Sequence, residues 1–172
     1  KIPLSYVIFE NKLIISASKM TNIPANFGEC FNNRIKAVFG TTANPYNAKQ
    51  ISKVSLEPED VEAIVFLTKD ARPFLKYLDS LDELGYRYYF QYTLNGYDKC
   101  IEPNVPDLNE SIDTIKELSS RIGKKKVIWR YDPIILSNIT PAEYHIEKFE
   151  SLLQRLDGHI GRIVISIVDE YR

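Results

Sequence analysis

Gln91 and Arg130 are each embedded in an otherwise apolar run, Tyr88 to Thr93 and Val127 to Tyr131. A polar or charged side chain buried there without a partner would cost several kcal/mol, so each requires a partner or a ligand. If these runs are strands, alternation puts Ile128, Arg130 and Asp132 on one face and Val127 and Trp129 on the other. Trp129 is then expected to pack under helices, while Arg130 looks to the enclosed side of the sheet with a carboxylate two residues away. A guanidinium so placed offers a rigid fork of donors suited to a carboxylate or phosphate, with Lys69 and Gln91 beside it and Asp132 fixing its angle. The competing arrangement is an internal network in which Asp132, Asp169 or another carboxylate neutralises Arg130.

In parallel α/β folds, function collects where strands end at their C-terminal side and open onto a shared crevice. That rule selects Ser16, Ser18, Lys19, Thr21 and Asn22 after the first apolar run, and Thr68, Lys69 and Asp70 after the second. It then selects Gln91, Thr93 and Asn95, followed by Arg130 and Asp132, and finally Ser166 and Asp169. Some of these have local explanations: Asp70 suits an N-cap, and Thr93 and Asn95 suit a turn.

Several other chemistries lack their residues. The glycines form neither a GxGxxG nor a GxxxxGK[ST] pattern, and no GxSxG elbow is present. The two histidines, His145 and His159, fall in a predicted helix and the turn after it, away from strand ends, which argues against metal ligation. Cys30 sits on a predicted helix, where a buried structural thiol is expected, and Cys100 sits in a loop.

The elements that must position these groups are legible. Strands are predicted at Leu13 to Ala17, Val61 to Leu67, Tyr86 to Leu94, Val127 to Tyr131 and Arg162 to Val168. Helical spacing joins Phe31, Ile35 and Val38; Phe74, Leu78 and Leu81; Ile112, Ile115, Leu118 and Ile122; and Phe149, Leu152, Leu153 and Leu156. Thr140, Pro141 and Glu143 read as a helix start, and Gly85, Gly123 and Gly158 as helix stops. Strands apolar throughout and joined by helices imply an α/β fold with a parallel sheet, its strand order following the chain, as a partial TIM-like barrel. The expectation is a single (β/α) barrel-like domain over residues 1–172, with 39–56 inserted as a loop or hairpin and the chain forming the N-terminal part of a longer one. The open edge of the last strand would then be covered by a partner, by self-association, or by Lys1 to Phe9.

The 22 basic and 23 acidic residues leave a net charge of −1, which gives no support for nucleic-acid binding. No apolar run approaches a membrane span, and two cysteines far apart in sequence suit a reducing compartment, so a cytoplasmic location is expected.

The segments SASKMTNIP (Ser16 to Pro24), NPYN, VSLEPEDVEAIVFLTK, YYFQYTL, EPNVP, VIWRYDPI (Val127 to Ile134) and VISIVDEY together resemble one prokaryotic family, catalogued as domain of unknown function eighteen-forty-eight. The resemblance covers nearly the whole chain in order. Two departures stand out: the family's SRRTDIP becomes a run with Lys19, Met20 and Asn22, and its TKNP becomes Thr68, Lys69, Asp70 and Ala71. Thr21, Lys69, Gln91, Arg130, Asp132, Ser166 and Asp169 carry over as candidate pocket residues, without catalytic roles. Members are similar to radical-SAM barrel enzymes and carry a C-terminal cysteine cluster. The resemblance therefore implies a four-iron, four-sulfur cluster and S-adenosylmethionine in a full-length relative, and no such cofactor held by this chain alone. The alternative is a non-catalytic domain that binds a ligand or partner and lacks the cluster.

Overall fold

A computed structural model describes residues 5–10, 12–18, 21–44 and 47–168, with side chains outside 41–52. The chain divides into two compact units, Lys1–Phe90 and Gln91–Arg172. Backbone hydrogen bonds link six strands in the order β1-β2-β5-β6-β7-β8, and the unit boundary falls within β6 (Tyr88–Thr93).

In the first unit, β2 (Lys12–Ser16) pairs parallel with β5 (Val61–Thr68), bringing Leu13 opposite Val61 and Ser16 opposite Val65. The expectation of an all-parallel sheet is corrected at its start. β1 (Ser5–Phe9) is itself a strand and pairs antiparallel with β2. Only two residues separate Phe9 from Lys12, enough for a hairpin and far too few for a parallel crossover. The Ser5–Phe9 segment is therefore a partner of β2.

Between β2 and β5 lie α1 (Ile23–Asn26), α2 (Gly28–Lys36) and a separate antiparallel ribbon of β3 (Phe39–Asn44) and β4 (Asn47–Ser55). Phe31 and Ile35, on one stripe of α2, are buried. The stripe excludes Cys30, which is exposed rather than buried because its neighbour Phe31 takes the inward position. Gly28 is required by close approach, since a Cβ there would lie 2.6 Å from the Tyr77 ring. After β5 come a 3-10 turn (Arg72–Tyr77) and α3 (Leu78–Glu83). The core is aromatic: Phe66 lies 4.7 Å from Phe74 and 4.9 Å from Phe90 between ring centroids, all three fully buried.

In the second unit, α4 (Leu108–Ile122) and α5 (Ala142–Leu156) flank β7 (Val127–Ile134), which pairs parallel with β8 (Arg162–Ile167). Ile112, Ile115 and Leu118 form the buried stripe of α4, whose start is closed by a reciprocal capping box between Asp107 and Glu110. Trp129 packs as its alternation predicts, stacked 5.0 Å from Phe149 of α5, with its indole N–H donating to the Leu94 carbonyl at 2.8 Å. The predicted start of α5 is corrected by one residue. Pro141 is the N-cap, and the Thr140 hydroxyl donates to the Ile135 carbonyl at 2.6 Å. Thr140 thus braces the preceding loop instead of capping a helix. Gly85, Gly123 and Gly158 follow their helices at positive φ, as stops should.

Candidate functional site

The alternation of β6 and β7 settles which side chains share a face. In β6, Tyr88, Phe90 and Tyr92 are buried, and Gln91 is on the half-buried side. In β7, Val127, Trp129 and Tyr131 are buried, while Arg130 and Asp132 are on the half-buried side. β8 lies in register so that Arg130 is opposite Val164, which places Ser166 further along toward Asp132.

These four residues form one connected polar row. The Arg130 Nη1 donates to Gln91 Oε1 at 2.7 Å and its Nε donates to Asp132 Oδ2 at 2.9 Å, while Nη2 bonds the same carboxylate oxygen. The Ser166 hydroxyl donates to the other carboxylate oxygen, Oδ1. Arg130 and Asp132 side chains keep 25% and 17% of their exposure, so the pair is shielded but not sealed. The internal network is present: Asp132 balances the charge, and Gln91 holds the fork.

Asn95, selected from sequence as a strand-end residue with a turn as its local explanation, is 1% exposed and ties the β6 end to the β7 end. Its Oδ1 accepts from the Asp132 amide at 3.1 Å, and its Nδ2 donates to the Pro133 carbonyl at 2.7 Å. The Asp132–Pro133 peptide is cis. Tyr97 adds a second stitch, its hydroxyl donating to Pro133 O at 2.7 Å and accepting from Ile135 N at 2.9 Å. The signal for both was weak in sequence because their partners lie more than thirty-five residues away.

His145 is structural, as its placement inside a helix suggested. Its Nε2 lies 3.0 Å from the Ile135 carbonyl, which can only accept. The Nδ1 therefore accepts from the Tyr131 hydroxyl at 2.9 Å. Burial, followed by the neighbouring Tyr97 and Tyr144, pushes the Tyr131 phenol well above its ordinary range.

Other predicted residues belong to the first unit. Thr21 and Lys69 belong to the first unit, both half-buried, Thr21 through its carbonyl accepting from Ile23 N at 2.9 Å. Next to them, Asn22 caps α1 and takes a hydrogen bond from the Thr68 hydroxyl at 2.8 Å, joining the loop after β2 to the end of β5. The N-cap role expected of Asp70 falls instead to Ala71, and Asp70, one residue earlier, accepts from the Arg72 amide at 3.0 Å as an Asx turn. Asp169, like Lys19 and Met20, lies outside the described residues.

No helix among the described residues is long and apolar enough to cross a membrane. No curated protein and no solved structure matches the chain. The family described as Domain of unknown function (DUF1848) matches residues 14–172, a span that includes the whole Gln91, Arg130, Asp132 and Ser166 row, and the chain belongs to that family.

Proposed function

We propose that this domain is the ligand-binding part of a TIM-like barrel working in the cytoplasm, and that its ligand is a small anion held by Arg130. The observation that carries the reading is a guanidinium pinned by Gln91 and Asp132 while a quarter of the side chain stays exposed (25%). An arginine has five N–H groups; three are occupied here, and five less three leaves two for an incoming oxygen. Donors fixed in advance bind a carboxylate or phosphate without first being ordered, which lowers the cost of binding. The reading rests on the second unit alone.

Similarity to radical-SAM barrel enzymes extends this proposal to catalysis in a longer protein, where an iron-sulfur cluster and S-adenosylmethionine would supply radical chemistry. The residues present do not make up the cluster's ligand set. A four-iron cluster takes three or four thiolates, whereas this chain has two cysteines, Cys30 and Cys100, both exposed. Among the described residues, no three His, Cys, Asp or Glu side chains gather to hold a metal. In this reading the domain binds and orients, and no reaction step is assigned to it.

Calorimetric titration with inorganic phosphate and with citrate tests the proposal. Arg130→Lys keeps the charge and loses the fork, so affinity should fall by roughly 1–3 kcal/mol while the fold survives better than in Arg130→Ala. Absence of binding by both probes, or equal unfolding of the two variants, would remove the ligand role.

A further inference from the structure

We propose that the cavity at the loop between β6 and α4 binds a free α-amino acid or a molecule with the same zwitterionic head, Lys148 taking the carboxylate and Asp98 the ammonium group. The cavity has a volume of about 340 Å³ and lies at the C-terminal end of β6. That volume suits a small metabolite rather than a polymer.

Its walls are fixed from several sides. Tyr97 is held by Pro133 and Ile135, and the Tyr144 hydroxyl donates to the Gly96 carbonyl at 3.1 Å. The two tyrosine rings are parallel within 2°, their centroids 6.5 Å apart, and give the cavity an apolar flank. Lys99 pairs with Asp107 at 3.1 Å, so those two charges answer each other.

Lys148 is different. Its stem lies against Gly96, where a Cβ would come within 3.1 Å of the lysine Cδ. Gly96 also has a φ of +68°, so a side chain there is excluded twice. The Lys148 ammonium stands 5.5 Å from the Tyr144 centroid and has no ion-pair partner among the described residues. Asp98 lines the same cavity. The backbone amide of Cys100, followed by its thiol, holds the Asp98 carboxyl below its usual range and so keeps it charged.

A simple anion in this cavity would leave Asp98 unanswered, and a simple cation would leave Lys148 unanswered. A guest carrying both charged groups on one carbon answers both side chains, and its own side chain can lie along the tyrosines. This inference stands apart from the Arg130 reading, whose residues and probes differ.

Saturation-transfer NMR of the 172-residue protein with each of the common L-amino acids at millimolar concentration tests it. At least one should bind saturably, and its deaminated acid and decarboxylated amine should each bind at least tenfold more weakly. Lys148→Met, which keeps the stem against Gly96, should weaken the amino acid at least tenfold with an unchanged circular dichroism spectrum; Lys148→Gln serves if the first variant misfolds. The inference is overturned if no amino acid binds, if the deaminated acid binds as well as its parent, or if a folded Lys148 variant retains full affinity.

Discussion

Replacing Asn95 by aspartate should destabilise the second unit more at neutral than at acid pH. The amide is 1% exposed and makes two hydrogen bonds to β7, one as acceptor and one as donor. Asn95→Ala loses both, at about 1 kcal/mol each, so about 2 kcal/mol is expected. Asn95→Asp keeps the acceptor for the Asp132 amide but sets a carboxylate oxygen against the Pro133 carbonyl, where Nδ2 now donates at 2.7 Å. Burial and that facing oxygen both disfavour the ionised form, so the introduced carboxyl has a raised pKa in the folded state. The folded variant then binds more protons than the unfolded chain, and its stability relative to the native protein rises as pH falls. Each unit of that rise adds about 1.4 kcal/mol to the cost at neutral pH. Below the raised pKa, the protonated acid can donate to Pro133 and the deficit should shrink below that of Asn95→Ala. Urea denaturation followed by the single tryptophan, Trp129, reads this directly, because its indole is bonded to the carbonyl of Leu94 next door. A deficit for Asn95→Asp that is the same at pH 7 and at about pH 4 would refute the reasoning.

Phe66→Ala should cost about 3–5 kcal/mol, since a fully buried ring in contact with Phe31, Phe74 and Phe90 leaves a cavity that rigid aromatics cannot fill; thermal denaturation by circular dichroism measures it. Trp129→Phe should destabilise the second unit by roughly 1–3 kcal/mol, because the Leu94 carbonyl loses its indole donor within the core; tyrosine fluorescence during urea unfolding provides the readout. Burial, and secondarily Glu57, pushes Tyr86 up to about 12 from 10.0. Its contribution is therefore complete below pH 10 and is lost as pH rises toward 12, and stability measured across that window should fall less steeply in Tyr86→Phe.

The five strands with helices between them were legible because their apolar runs are short and rich in branched and aromatic residues. β1 was not: Val7, Ile8 and Phe9 are exposed, and a five-residue strand shows no burial pattern that could be read from sequence. α1, four residues long, is held by the Asn22 cap rather than by periodicity. The Asp107 and Glu110 capping box has the required three-residue spacing, but the surrounding turn residues masked it. Gln91, Arg130 and Asp132 could be found because polar residues inside apolar strands must be answered, and strand alternation says on which face. Asn95 was selected only by its place at a strand end and Tyr97 not at all, because their role depends on the ends of β6 and β7 being neighbours. Cys30 was misplaced for a related reason: helical membership was clear, but the choice of inward face turned on a single residue, Phe31.

The most direct measurement of the ligand role is a phosphate titration of the isotope-labelled protein, followed at the Arg130 side-chain Nε–H and at the backbone amide of Ser166. Both resonances should shift saturably with one shared dissociation constant, and Arg130→Lys should weaken that constant by about fivefold or more at the Ser166 amide. A phosphate response that leaves both signals in place, or a Ser166 response unchanged in folded Arg130→Lys, would contradict the account.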